Sequence, residues 1–208
     1  MAEQHTIGVQ STEERIKEAA ARVFVKKGYA ATKTRDIADE AGINIASLHY
    51  YYRSKDKLFQ IVIGEALKKF SKVLDETFNS DSPLDVKIKT FVSQFIDFFK
   101  DNPFVPLFIL SESQNNPEKV EQMLADQKTV DKLKEQLDGL ADKGVIRRMH
   151  IAHFMMNVVG MTVFPFVSKP LMMRKLKLSP EEYKELLEER KRIVPDILIR
   201  YLYLEPPG

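Results

Sequence analysis

The chain has 208 residues, 44% hydrophobic and 30% charged, with eight glycines and a formal net charge of +2. It has no cysteine, which excludes a disulfide framework and any thiolate metal site and fits a reducing compartment. This composition favours helices over turn-rich β structure, with room for one large domain or two small ones.

Met1 to Gln10 lacks the basic segment and apolar core of a signal peptide. The first helix is expected over 12–27. Ser11 and Glu14 form a capping box, Ile16, Ala19, Ala20, Val23 and Phe24 make one helical face, and Gly28 supplies a stop. Helices over 34–41 and 45–51 follow, joined by Ala41-Gly42-Ile43-Asn44. Gly42 permits a left-handed backbone, Ile43 plugs the corner, and Asn44 caps the next helix. Ile37, Ala38, Ala41, Leu48 and Tyr52 are expected to face inward. This is a helix-turn-helix, whose second helix enters a major groove while the first crosses the backbone.

The segment 45–51 carries no acid, and Arg53, Lys55 and Lys57 follow it. Small and apolar side chains at its start suit base edges and thymine methyls, while hydroxyls and an imidazole suit phosphate oxygens. Residues 1–60 hold ten Lys/Arg against eight Asp/Glu, and the stretch 26–57 holds seven against four. The basic bias is therefore local to this end of the chain.

Further helices are expected over 55–79, 83–101, 103–114, 117–143, 148–167 and 180–203, nine in all. Four starts share a capping residue followed by proline: Ser82-Pro83, Asn102-Pro103, Asn116-Pro117 and Ser179-Pro180. Pro106, Pro165 and Pro195 predict kinks or breaks. Residues 168–178 read as a loop in which 171–178 has room for a helical turn. The most apolar stretch, Ile151 to Val167, contains His153, Asn157, Thr162 and Pro165, so it is expected as a buried helix and not a membrane span. Being apolar nearly all round, it needs cover on two sides, by the domain's own interior and by a second subunit.

The run from Gly28-Tyr29 through Thr34-Arg35-Asp36-Ile37-Ala38 to Ala41-Gly42-Ile43, continued by Leu48, Tyr52, Lys55, Leu58 and Phe59, resembles the TetR-family motif. The resemblance covers roughly residues 12–60; beyond them it rests on length, helix count and apolar character. It implies contact with phosphate or a base by Thr34 and Arg35. Ile45, Ala46, Ser47 and Tyr50 fall at base-reading or groove-facing positions. His49 and Tyr51 fall at phosphate-contacting positions, and Lys55 matches a backbone-binding lysine. Two positions depart from the family: His49 stands where tyrosine is usual, and Asn44 where serine or threonine is usual. Asn44 caps equally well, whereas His49 is a shorter hydrogen-bonding partner.

The resemblance further implies that the last two long helices pair with those of a second copy. Phe154, Val158, Met161, Leu187, Val194, Leu198 and Tyr201 are the expected interface. Aromatic walls with flexible methionines suit an apolar ligand, and the expected lining is Phe91, Phe95, Phe99, Phe108, Met155 and Phe164, with Gln94, Ser111 and Asn157 as polar anchors. The same side chains also suit a plain core. His150 and His153 share a helix face, but the sequence nominates no further zinc ligand, so no metal is expected. No phosphate loop, nucleophile motif or carboxylate pair stands out, so neither catalysis nor a cofactor is expected.

The expectation is an all-α protein with a helix-turn-helix domain (1–54) and a helical ligand-binding and dimerisation domain (55–208). It is a cytoplasmic, homodimeric DNA-binding regulator, a repressor released from a palindromic operator by a small apolar or amphipathic effector. The rival reading is a small-molecule or lipid-binding carrier that retains a non-functional helix-turn-helix.

Overall fold

The structure is a computed structural model that describes residues 11–124 and 126–205. Its helices in chain order are α1 (Thr12–Ala31), α2 (Thr34–Ala41), α3 (Ile45–Tyr51), α4 (Lys55–Asn79), α5 (Leu84–Asp101), α6 (Val105–Asn115), α7 (Pro117–Glu121), α8 (Gln127–Asp142), α9 (Ile151–Leu176) and α10 (Pro180–Leu202). Among the described residues the only extended pairing is a single antiparallel bridge between Ile146 and Tyr203. The chain forms two compact units, one reaching Ala66 and the other starting at Leu67, so the division falls within α4.

In the first unit Ser11 caps α1 through the expected box: its hydroxyl accepts from Glu14 N–H, and the Glu14 carboxylate accepts from Ser11 N–H. Gly28 leaves helical geometry at φ 75°, and one further turn carries α1 to Ala31. Ile16, Ala19, Ala20, Val23 and Phe24 are buried, as are Ile37, Ala38, Ala41, Leu48 and Tyr52. Gly42 closes α2 at φ 64°, a left-handed turn that only glycine makes without strain.

The second unit departs from expectation in two places. The segment 117–143 is not one helix: α7 ends at Glu121, and Asp126 starts α8 afresh by accepting from the Lys128 N–H at 3.2 Å. Conversely, 168–178 is not a loop, because α9 runs through Pro165 and Pro170 to Leu176. A helical proline leaves the carbonyl four residues earlier without its usual donor. For Pro165 that carbonyl is Met161 O, and the Arg190 Nη2 donates to it at 2.5 Å. Nearby, the Tyr183 hydroxyl donates to Pro165 O. Arg190 thus replaces the bond that Pro165 removes.

Of the four expected cap-proline starts, Ser179 forms a full capping box and Asn116 precedes α7. The other two helices begin one to two residues late, with Pro83 and Phe104 at the cap positions. A buried cation, Lys87, donates to Phe78 O and to Gln136 Oε1, both at 2.9 Å, and so closes the end of α4. Burial pushes its pKa down.

The helix α9 is long and apolar enough, by length and composition, to cross a membrane. It packs instead on α5, α6 and α10. Only Phe154, Val158, Thr162 and Ser168 along it are buried, so its own chain covers one side of the helix and leaves much of its apolar surface open.

Candidate nucleic-acid interface

Three bonds fix α2 against α1. Arg15 Nη2 donates to Ala41 O at 2.7 Å, Arg22 pairs with Glu40, and Lys27 pairs with Asp36 at 2.8 Å. The Lys27 ammonium, with the Lys33 N–H, holds the Asp36 carboxyl below its ordinary range. The short helix α3 is held from both ends. Asn44 Oδ1 accepts from Ser47 N–H at 2.7 Å. At the other end Tyr52 is buried, and its hydroxyl donates to Glu13 Oε1 on α1 at 3.2 Å. Burial, reinforced by Glu13, pushes that phenol far up, so it stays a donor.

What this frame presents is a face without acid. Ala46, His49, Tyr50 and Tyr51 are exposed, while Ile45 and Ser47 are half-buried beside the cap. Tyr50 is 84% exposed, with its ring edge-on to Tyr51 at 5.4 Å. A ring left so open buries little apolar area against its own chain and remains available to a partner. Thr34 and Arg35 open α2 half-buried and exposed respectively.

The cations divide into two groups. Lys55 is turned inward: its Nζ donates to Tyr29 O at 2.9 Å and Thr32 O at 3.0 Å, and sits 4.2 Å from the Tyr29 ring centroid. The Tyr29 hydroxyl in turn bonds the Asp56 carboxylate. Lys55 therefore ties the start of α4 to the end of α1, which differs from the free phosphate-binding ammonium expected of it. Arg35, Arg53 and Lys57 are exposed and make no ion pair with a described residue. Sequence reasoning saw Arg53 and Lys57 only as part of a basic run, and it missed Arg15. An arginine in the first turn of α1, 26 residues before Ala41, carries no local cue that it will close a distant helix end.

The expected ligand lining is not brought together. Phe91, Phe95 and Phe99 are close-packed core, with Phe95 edge-on to Phe99 at 4.6 Å and Phe99 against Phe166 at 5.3 Å. Gln94 accepts from the Thr77 hydroxyl at 3.1 Å. Phe108 is half-buried near the Lys119 ammonium, and Met155 is half-buried. Ser111, Asn157 and Phe164 are exposed and belong to other faces. The interface list needs a like correction. Phe154, Val158, Leu187, Val194 and Leu198 are core of the chain itself; only Met161, half-buried, and Tyr201, 59% exposed, stay accessible. The exposed large apolar side chains are instead Met156, Phe164, Leu171 and Leu176 on α9 and Leu186, Ile197 and Tyr201 on α10. Between the two helices lies a mostly apolar groove of 420 Å³ lined by Met161, Phe164, Met172, Leu186 and Ile193, with Glu189 and Arg190 on its wall. On α9, apolar nearly all round, the sequence gives no signal for which stripe turns inward.

Residues 16–62 match the family of bacterial regulatory proteins called the tetR family. Over 190 residues the chain is 23% identical to the probable HTH-type transcriptional regulator YttP of Bacillus subtilis, covering 87% of this chain and 91% of that one. It is 32% identical over 89 residues to the HTH-type transcriptional repressor KstR2 of Mycolicibacterium smegmatis, 41% of this chain and 42% of the relative. The fold is similar to that of the fatty acid degradation regulator FadR from Bacillus halodurans: TM-score 0.62, 16% identity, covering 92% of this chain and 96% of that one.

Proposed function

The chain belongs to the tetR family of DNA-binding transcription regulators, and we propose that it is a repressor working as a two-fold homodimer on a palindromic operator. The observation that carries this is the acid-free, outward face of α3, braced by the Asn44 cap and the Tyr52–Glu13 bond. Ala46, Ser47 and Tyr50 read bases in the major groove, and Thr34, Arg35, Ile45, His49 and Tyr51 bear on bases or phosphates around it. Arg53 and Lys57 add backbone contacts. Two such heads, about 34 Å apart or somewhat more, address successive turns of one side of the duplex.

The second copy covers the open face of α9 and α10. An effector acts by binding more tightly to the arrangement of heads that does not fit the operator; occupancy without that difference shifts nothing. Its class is small and apolar or amphipathic, and the FadR likeness puts acyl-chain compounds first among those to try. The site of action is the cytoplasm. The rival carrier reading fails to use the braced α3 face.

Selection of bound fragments from random duplex DNA tests the proposal. The expected result is a two-fold symmetric consensus, with retention falling steeply as salt rises. No retention even at low salt sinks the regulator reading for this chain, and a single unrepeated half-site sinks the dimer.

A further inference from the structure

Arg190 presents a charge that no described residue balances by an ion pair. Its Nη2 mends the carbonyl that Pro165 leaves without a donor, but a neutral donor would do the same. Its Nε is buried with no acceptor, and no carboxylate of a described residue lies within ion-pair distance. Burial pushes its pKa down. An uncompensated guanidinium on the wall of an apolar groove costs free energy unless an anion reaches it from outside.

The helix that bears it is polar in charge along its length. Glu181, Glu185 and Glu189 lie in its first half, exposed and without an ion pair to a described residue. Arg190 and Arg192 follow. Two such helices laid antiparallel, and crossing N-terminal to their midpoints, bring the acidic half of each against the basic middle of the other; parallel packing in register opposes like charges. Isologous contact of this kind is self-complementary by symmetry.

We infer that Arg190 sets the register of the homodimer by pairing with the carboxylates of Glu185 and Glu189 on α10 of the second copy. This rests on the dimer reading above but goes beyond it, since it names the charges that select one antiparallel pairing. Leu186, Ile193 and the α9 side chains provide the apolar contact on either side, and the cross-copy ion pairs reject a misaligned or foreign partner.

The test is charge exchange in the full chain, read by sedimentation equilibrium. Arg190→Glu places acid against acid at both symmetric contacts, and the Glu185→Arg/Glu189→Arg variant places base against base. Each alone is expected to weaken self-association at least tenfold. Mixed, they are expected to form a heterodimer of near wild-type affinity, because both contacts are then opposite in sign. To separate pairing from the repair of the Pro165 kink, the exchange is repeated on Pro165→Ala, where residue 165 again supplies an N–H to Met161 O. Failure of the mixture to associate in either background overturns the inference, as does unchanged self-association of both variants. A monomeric wild type overturns the dimer reading itself. Saturable uptake of decanoate by the wild type that is lost in Arg190→Glu, with self-association unaffected, assigns the groove to an anionic amphiphile and overturns the inference.

Discussion

Lys55 and its neighbours separate two jobs that a basic run in a sequence runs together. The Lys55 ammonium has spent two of its three donors on Tyr29 O and Thr32 O, whereas Arg53 and Lys57 are exposed and pair with no carboxylate of a described residue. A lysine that closes a helix end acts on stability, and a free cation acts on the phosphate field. Lys55→Ala is expected to cost about 1 kcal/mol of stability, the net worth of such bonds, and to weaken all DNA sequences alike. It leaves the dependence of log affinity on log salt unchanged. Arg53→Ala and Lys57→Ala are each expected to lower that slope by about one while leaving stability alone. Salt titrations of the three variants decide the matter: a slope change in Lys55→Ala returns it to the phosphate-binding role. The identities of Asn44 as cap and Tyr52 as core were legible in the sequence because each depends on its immediate neighbours. The inward turn of Lys55 was not, because its partners lie more than twenty residues away.

Helix α4 ends on a buried lysine, an arrangement whose sign depends on magnitudes. Removing a charge from a buried site is a gain, since its desolvation is relieved. Against that, Phe78 O loses its donor in a buried site and Gln136 Oε1 in a part-buried one, at about 1–3 kcal/mol for an enclosed group and less for one that water reaches. The cation also lies at a helix C-terminus, where it is favoured. Two orphaned acceptors outweigh the relief, so Lys87→Met is expected to lose about 2 kcal/mol in a denaturant titration despite its matched stem. A midpoint shift toward greater stability shows that desolvation dominates. The same long-range bonds explain what was unreadable at this scale. Capping boxes at Ser11 and Ser179 are written within four residues and were read correctly. The bond that Pro165 removes from α9 is replaced by Arg190 and α8 starts afresh at Asp126, and neither carries the paired signal of a box.

For the whole molecule, the decisive quantity is the apolar surface left open on α9 and α10. Phe164 is 56% exposed, and Leu171 on α9 and Ile197 and Tyr201 on α10 are exposed as well. A patch of several large side chains on one face is more than a stable monomer ordinarily shows to water. Sequence periodicity found both helices and their apolar character, but on α9 it could not choose which stripe turns inward; the inner stripe was assigned to the partner. The corrected face makes a sharper prediction. Phe164→Arg with Ile197→Arg places charge on the exposed side of both helices and touches no core residue, so the chain is expected to keep its helical circular dichroism and sediment as a monomer. Each monomer still carries an intact head, so affinity for an isolated half-site is expected to stay at the wild-type value. Affinity for the full palindrome falls about a hundredfold or more, because the second head no longer binds at the high effective concentration that its tether supplies. Equal losses on half-site and palindrome show damage to the head and not to the pairing. A variant that remains dimeric shows that two copies meet through another surface.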